Sequence, residues 1–585
     1  MTDSRPSAAR SGGAEVLVVG AGPVGLTAAL ELRRQGVACR IVDRLPERQP
    51  YAKAVGVQPR TLEVWDRMGI VRAVLEAAVP MRGQYVYVDG VERGRFDLVL
   101  PPEVPYGFAA LPQYETERLL EEALGRHGTR IERGTVLDAF EQDQDGVTAR
   151  LTDAAGVGEE LRVGYLVGCD GAHSTVRKGL GLSFEGGAFP EAYMLGDVEV
   201  DWDLPEGYGL RSMLLDDAGA VADVLVCIPL PGRRRYRMSM RVPGAVPGAA
   251  PGASAPRGSA ADGIAHGLDG GGTAPGLADI QGVLDRLSPQ RTTASALRWA
   301  SVFRISHRIV DRYGEGRVFV AGDAAHIHPP TGAQGMNTGV QDAYDLAWRL
   351  ALAVKGRAAP GLLAGYDAER RPVGEEVVGR TVRHATAGGV QAAADDPDDP
   401  DESRTLMLRE AQLLVGYRGS PSVDPSDDGP GPGPGDRAPD CGGLLGPIAA
   451  YPVRLFDVLR DRPTVLLLYG TGYGSGGVAG RDELAATAWR ATGGRVDVCA
   501  LVPPGAPETV RDAGPIPVYR DAAGEFAVRY ATGGGDGSIA FVVRPDGHLG
   551  ARLADPDPAR LAAHLARVFA APKGAAAAQV SDSQG

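Results

Sequence analysis

The run VLVVGAGPVGLTAALELRR, Val16 to Arg34, constrains the fold of this chain more than any other stretch. Four aliphatic residues read as a buried strand, GAGPVG then places three glycines at the spacing GxGxxG, and a helix follows through Leu26 to Arg34. In such a turn Gly20 makes the tight bend, Gly22 lets the backbone approach a pyrophosphate, and Gly25 lets helix and strand pack closely. The helix start, carrying Pro23 and Val24, holds the anion with its N–H groups. A second strand ends at Asp43, 18 residues after Gly25, where a carboxylate accepts hydrogen bonds from an adenosine ribose. A glycine turn that binds nothing has the same letters, so the motif alone is weak. Strand, helix and acid in the correct order make a dinucleotide-binding βαβ unit the better reading.

Two later clusters repeat the theme. YLVGCDGAHSTVR, Tyr165 to Arg177, runs a strand into Asp170-Gly171 and a helix start. RVFVAGDAAHIHPPTGAQGMNTGVQDAYDLAWRLALAV, Arg317 to Val354, runs a strand into Gly322-Asp323, a Pro-stiffened loop, a second glycine turn and a long helix. Each alone is a tight turn. Together, strands that deliver carboxylates and helices that present free N–H groups suit an extended ligand with hydroxyls and an electron-rich ring.

Composition narrows the partner. Lys+Arg 61 against Asp+Glu 74 gives a net charge of −13, which argues against nucleic acid and against anionic lipid. A small molecule remains. The five cysteines form no CxxC and have no histidine at zinc-like spacing, so neither a disulfide framework nor a metal site is expected. A reducing cytoplasm is the expected home, since the N-terminus lacks a signal-peptide core and no apolar run approaches the ~20 residues that span a bilayer.

The 585 residues suggest about three to four domains. Pro243 to Gly276 is rich in Gly, Pro, Ala and Ser and reads as a flexible insertion. An acidic, then Gly/Pro-rich stretch over 395–435 reads as a linker. Beyond it, strands are expected at Thr464 to Tyr469 and Val496 to Val502, and GYGSGG, Gly472 to Gly477, which also fits GxGxxG between a strand and a helix, reads better as a surface turn than as a second nucleotide site.

The three motifs, in this order, resemble those of the flavin-dependent aromatic hydroxylases, single-component FAD monooxygenases with the fold of para-hydroxybenzoate hydroxylase. The branch most resembled acts on phenols, phenylpropionates and aromatic polyketides. The resemblance covers about residues 14–400. It implies an α/β fold in which a Rossmann-like FAD-binding domain of glutathione-reductase type, residues 1–182 and 292–394, is interleaved with a β-sheet substrate domain, residues 183–291. The order of elements over 436–574 resembles the thioredoxin-like C-terminal domain of that branch. Without CxxC its expected role is packing or homodimer formation.

The resemblance also assigns residues. The ADP half of FAD falls to Gly20, Gly22, Pro23, Val24 and Gly25, with Asp43 on the ribose and Arg44 beside it. Lys53 stands where the family usually has Arg, keeping the charge but losing the bidentate fork. Gln113 and Asp323 match ribityl contacts, and Gly322 precedes the latter. Pro329 and the run Gly332, Ala333, Gln334, Gly335, Met336 and Asn337 match the loop lining the isoalloxazine. Ala333 replaces a commoner Gly and adds a methyl group near the expected flavin edge. Asp170 and Gly171 match the family's DG motif, which Arg177 closes.

By the same resemblance, NADPH or NADH reduces FAD, dioxygen adds at flavin carbon 4a, and the hydroperoxide passes one oxygen to a phenolic or polycyclic aromatic substrate. Baeyer-Villiger oxygenation or epoxidation on the same scaffold, and an FAD oxidoreductase that never oxygenates, are the alternatives. Absence of WxWxIP disfavours a flavin halogenase. Arg211, Met213 and Tyr236 are candidate substrate contacts, each with ordinary packing as its rival. No residue is assigned as catalytic base, because His326 and His328 lie in the flavin loop, where a structural hydrogen bond is expected.

Overall fold

A computed structural model describes residues 13–50, 54–242, 264, 267–268, 275–386, 400–426, 429–472, 477–507, 516–532 and 538–572. Lys53, most of the expected insertion, and positions 473–476 of the GYGSGG turn lie outside the described residues.

The first sheet grows from Val16–Val19, which is buried at all four positions and therefore carries no polar alternation. Cys39–Asp43 and Tyr165–Gly168 pair with it in parallel on either side. Val318–Val320 extends the sheet beyond Tyr165–Gly168, and Ile131–Arg133 extends it beyond Cys39–Asp43. The consequence is geometric: three adjacent parallel strands end side by side in the three sequence motifs, at the carboxyl edge where open α/β sheets bind ligands. The helices Pro23–Arg34 and Gly335–Val354 pack on one another beside this edge.

The second sheet has nine strands. Phe184–Val200 and Ala294–Val310 form its long antiparallel centre, followed by Arg235–Arg241, Val221–Pro229 and Tyr208–Leu215. Gly83–Val88 then joins in parallel and brings Val91–Asp97 with it. The sheet thus draws strands from both sides of the expected 183–291 segment. On one face the helix Leu277–Leu287 seats Ile280, Val283 and Leu284 against Leu210, Cys227 and Met238.

The C-terminal sheet runs Leu444–Leu445, Val518–Asp521, Asp497–Val502, Val465–Tyr469, Ile539–Val543, Leu549–Ala554. Val465–Tyr469 is apolar and buried throughout because both faces are covered. One face packs on the helices Val478–Thr492 and Pro558–Leu565, together with Trp348 and Leu362 of the first region. Phe526 and Tyr530 lie on the other face. Arg544, in the turn after Ile539–Val543, donates to Asp345 and Glu369, and Arg349 donates to the same two acids. These two arginines lie among Asp345, Glu369 and Asp546, whose carboxylates approach within 4.8 Å of one another. Burial raises the pKa of Asp345, with Glu369 and Asp546 adding to it against the two arginines.

The stretch read as a linker differs from that expectation over most of its length. Pro400–Glu410 is a helix, and Glu410, Gln412, Tyr417 and Ser422 are buried. Gly and Pro content signalled a spacer, but polar side chains between those residues find partners on the first region. No helix among the described residues is long and apolar enough to cross a membrane.

Candidate functional site

The first glycine turn is fixed by what each Cβ would strike. A Cβ on Gly20, whose φ is +100°, would lie 2.3 Å from the Cys169 carbonyl oxygen, and one on Gly25 would lie 1.8 Å from the carbonyl oxygen of Gly20. Gly22 is different: a Cβ there meets nothing within 4 Å. Its side of the turn is a cradle bounded by the start of the helix Pro23–Arg34, which has no side-chain cap, so the first-turn N–H groups are available to an anion. Asp43 braces the turn, its carboxylate accepting from the N–H groups of Ala21 at 2.7 Å and Leu45 at 2.8 Å. Arg44 beside it is exposed.

Val24 joins the first motif to the third. A Cβ on Gly322 would come 2.8 Å from a Val24 methyl carbon, and one on Gly339 would come 2.7 Å from the same carbon. Only glycines allow the Gly322-Asp323 turn and the long helix to close on Val24. His326-Ile327 pairs with the end of Ala294–Val310, so this loop spans both sheets. Underneath, Asp342 is fully buried and accepts from Arg370 Nε at 2.8 Å and the Gly322 N–H at 3.2 Å, while His326 Nε2 lies 2.8 Å from it. Burial acts to raise the pKa of Asp342, but Arg370 and His326 outweigh it and hold the carboxyl below its ordinary value. Breaking such a buried pair costs about 3–5 kcal/mol, which makes this network a rigid floor for the loop.

His328 Nδ1 lies 2.8 Å from the carbonyl oxygen of Pro329. That oxygen only accepts, so Nδ1 carries the proton and Nε2 the lone pair. Burial, with His326 adding to it, pushes the pKa of His328 down to about 4. Both histidines thus have hydrogen-bond partners in or beneath the loop.

The loop itself turns through two left-handed residues, Gly332 at φ +71° and Ala333 at φ +55°. The Ala333 methyl lies against Gly56, where a Cβ would approach it to 2.5 Å. Asn337 locks the two segments together, donating to the carbonyls of Gly56 at 3.0 Å and Ala333 at 2.7 Å and accepting from the Gln58 N–H at 2.9 Å. Gln58 Nε2 donates to the Gly332 carbonyl at 2.6 Å. Gln334 points away into the 400–417 segment, donating to the Glu410 carbonyl and accepting from Gln412. Gly335 opens the long helix and Met336 packs on the core.

Two further assignments acquire structural partners. Asp170 caps the helix Thr175–Gly179, accepting from Ser174 Oγ and the N–H groups of Thr175 and Val176. Burial still raises its pKa. Gln113 accepts from the Ala54 N–H at 3.3 Å and donates to Glu117 at 2.8 Å, and burial pushes the pKa of Glu117 up to about 7.

Strand register sorts the candidate substrate contacts. Arg211 pairs with Val226, Val226 with Ser239 and Ser239 with Leu195, which puts Arg211 on the face opposite Leu210 and Cys227. Met213 shares that face. Leu195, Trp299, Phe303 and Ile305 form an apolar cluster there, and Ile228 on the same face packs toward Val55 and Ala110. Burial lowers the pKa of Arg211. Tyr236 is on the other face, its ring 5.1 Å from that of Trp202 in the core under Leu277–Leu287. It is a packing residue, and its assignment to the substrate is corrected.

Sequence reasoning missed Gly56, Gln58, Asp342, Arg370, Glu410 and Gln412. Only the polar residues recurring along the helix Gly335–Val354 signalled a buried network. Two surface clefts of about 330 and 540 Å³ are lined in part by the C-terminal region and include no residue of the glycine motifs.

Comparison with known proteins agrees with this geometry. A family model described as "FAD binding domain" matches residues 13–240 and 271–381. A flavin-dependent monooxygenase of Mycobacteroides abscessus is 35% identical over 78% of this chain and 88% of its own. A 6-methylpretetramide 4-monooxygenase of Streptomyces rimosus is 38% identical over 64% of this chain and 62% of its own. Among solved structures, the flavin-dependent monooxygenase PieE in complex with FAD and substrate superposes with a TM-score of 0.74 at 25% identity, covering 96% of this chain and all of that one.

Proposed function

The chain belongs to the FAD binding domain family and is a flavin-dependent monooxygenase, and from that premise we propose that it uses NADPH or NADH and dioxygen to hydroxylate a phenolic or polycyclic aromatic substrate. One observation carries the reading. Gly20, Asp43, Gly322 and the head of Gly335–Val354 come together around Val24 at the carboxyl edge of one parallel sheet, with the apolar face bearing Leu195 and Phe303 turned toward Val55 and Ala110.

The residues fit FAD. The open side of Gly22 and the uncapped helix behind it suit a pyrophosphate, Asp43 has lone pairs left for a ribose, and Asp323 and Gln113 would take the ribityl hydroxyls. The loop from Pro329 to Asn337 would line the ring system. When bound and reduced, FAD supplies the activation of dioxygen and the transfer of one oxygen atom. This chain's residues supply position and dryness. The head of the 20-residue helix Gly335–Val354 lacks a side-chain cap and would favour negative charge at the ring's pyrimidine edge by about 0.3–2 kcal/mol. Leu195, Trp299 and Phe303 exclude water from the opposing wall. Arg211 would meet an acidic or phenolic oxygen of the substrate, and Met213 would contact its ring.

The same proposal extends to the rest of the chain. The parallel Val465–Tyr469 and Asp497–Val502, flanked by the antiparallel Ile539–Val543 and Leu549–Ala554, support a thioredoxin-like C-terminal domain, with homodimer formation as a role. Five unpaired cysteines support a reducing cytoplasm. The test is to purify the protein, record its flavin spectrum, and screen phenols and polycyclic phenols for stimulated NADPH oxidation with a product one oxygen heavier. NADPH consumption that is identical with and without every aromatic would sink the proposal. A lactone or epoxide product would move it to the Baeyer-Villiger or epoxidation reading.

A further inference from the structure

We propose that Gln412, in the segment first read as a linker, is a positioning residue of the flavin site, holding the Gly332–Asn337 loop from below. This rests on the FAD reading above. Just past the helix Pro400–Glu410, Gln412 takes φ +59°, a left-handed conformation that a residue with a side chain keeps only when its surroundings dictate it. Its surroundings are the head of the long helix. Nε2 donates to Gln334 Oε1 at 2.7 Å and to Thr338 Oγ1 at 3.0 Å, and Oε1 accepts from Gln341 Nε2 at 2.6 Å. All of these side chains are buried.

The neighbouring residues extend the same support. The Glu410 carbonyl and Oε2 each accept from Gln334 Nε2 at 3.1 Å, and the Ala411 carbonyl accepts from the Arg60 N–H at 3.2 Å. A Cβ on Gly332 would stand 2.5 Å from Glu410 Oε2, so the loop rests directly on this segment. Gln58 and Asn337 grip the loop from its other side. Gln334 Nε2 also donates to the Gly332 carbonyl at 3.0 Å, so this side chain ties its own loop to groups some 76 to 78 positions later in the chain. Removing the Gln412 amide would leave the Gln334 oxygen to Arg380 alone and Gln341 to the Asn337 carbonyl. The loop and helix head would then lose the register that fits them to the flavin ring.

The experiment compares the full-length holoenzyme with Gln412→Leu, which keeps the bulk and removes the hydrogen bonds, and Gln412→Glu, which keeps an acceptor for Gln341. Leu414→Ala, at an exposed position on the same segment, is the control. The readings are FAD dissociation constant by fluorescence titration, vibronic structure of the bound flavin absorption band, and flavin midpoint potential, with melting of the FAD-free protein reporting the fold. Gln412→Leu should bind FAD about tenfold more weakly, the scale of one net buried hydrogen bond, with a blurred band and a shifted potential. Gln412→Glu should fall between it and wild type, and Leu414→Ala should match wild type. Wild-type affinity, spectrum and potential in a folded Gln412→Leu would overturn the proposal. If that variant does not fold, the same outcome in Gln412→Glu overturns it. A wild-type protein that binds no FAD overturns the flavin reading itself, and this inference with it.

Discussion

Gly22→Ala and Gly25→Ala separate the fold's need for glycine from the ligand's. A Cβ at residue 22 meets no protein atom within 4 Å, and its backbone, φ −74° and ψ −178°, is open to any residue. The FAD-free protein should therefore tolerate Gly22→Ala and gain about 0.4–1 kcal/mol, because alanine restricts the unfolded chain. The space it fills is the one assigned to the pyrophosphate, where overpacking costs about 1–3 kcal/mol, so FAD affinity should fall by about 5- to 150-fold. Gly25→Ala places its methyl 1.8 Å from the Gly20 carbonyl oxygen. No rotamer relieves a backbone clash, and the fold itself should lose about 3 kcal/mol or more. The assay is urea unfolding of the FAD-free proteins alongside flavin fluorescence titration. Unchanged FAD affinity in Gly22→Ala would refute the cradle, as would a destabilised FAD-free protein in that variant.

Three further outcomes are expected. Burial holds the pKa values of His328, His548 and His564 down to about 4 from 6.5; each therefore contributes stability that is full above pH 6.5 and lost as pH falls toward 4, at most ~3 kcal/mol per group. Because raised carboxyls such as Glu117 shift stability the opposite way over the same range, the check is NMR titration of the rings themselves: all three should stay neutral down to about pH 5, and protonation near pH 6.5 would contradict the burial of neutral imidazoles. Gly56→Ala should destabilise the protein through its 2.5 Å approach to the Ala333 methyl, and adding Ala333→Gly should restore it; a double-mutant cycle with no coupling would show that the two do not touch. Once a substrate is in hand, Tyr236→Phe should leave its KM unchanged and Met213→Ala should alter it, since the two side chains occupy opposite faces of the sheet.

What could be read from the sequence was local. Gly25 is dictated by the Gly20 carbonyl oxygen of the same turn and Gly20 by its own positive φ, so their letters carried their meaning, and the strands at Val221–Pro229 and Arg235–Arg241 follow from their apolar patterning. Tyr236 was misplaced because the face a strand residue takes depends on register, and the register here shifts at irregularities such as the one between Asp197 and Glu199. The partners of Asp170 and Asn337 were invisible because a polar residue in a motif looks the same whether it meets a ligand or the protein's own backbone. Glu410 and Gln412 escaped for a different reason: Gly/Pro-rich surroundings masked a segment whose order comes from long-range hydrogen bonds, and one sequence shows no pairing across such distances.

The most direct test of the central claim is to follow isotopically labelled dioxygen into product, with NADPH and a polycyclic phenol that stimulates its oxidation. One labelled oxygen atom bonded to a carbon of the aromatic ring is the predicted result. Labelled hydrogen peroxide as the only fate of the dioxygen, with the aromatic compound returned unlabelled across the whole panel, would contradict it.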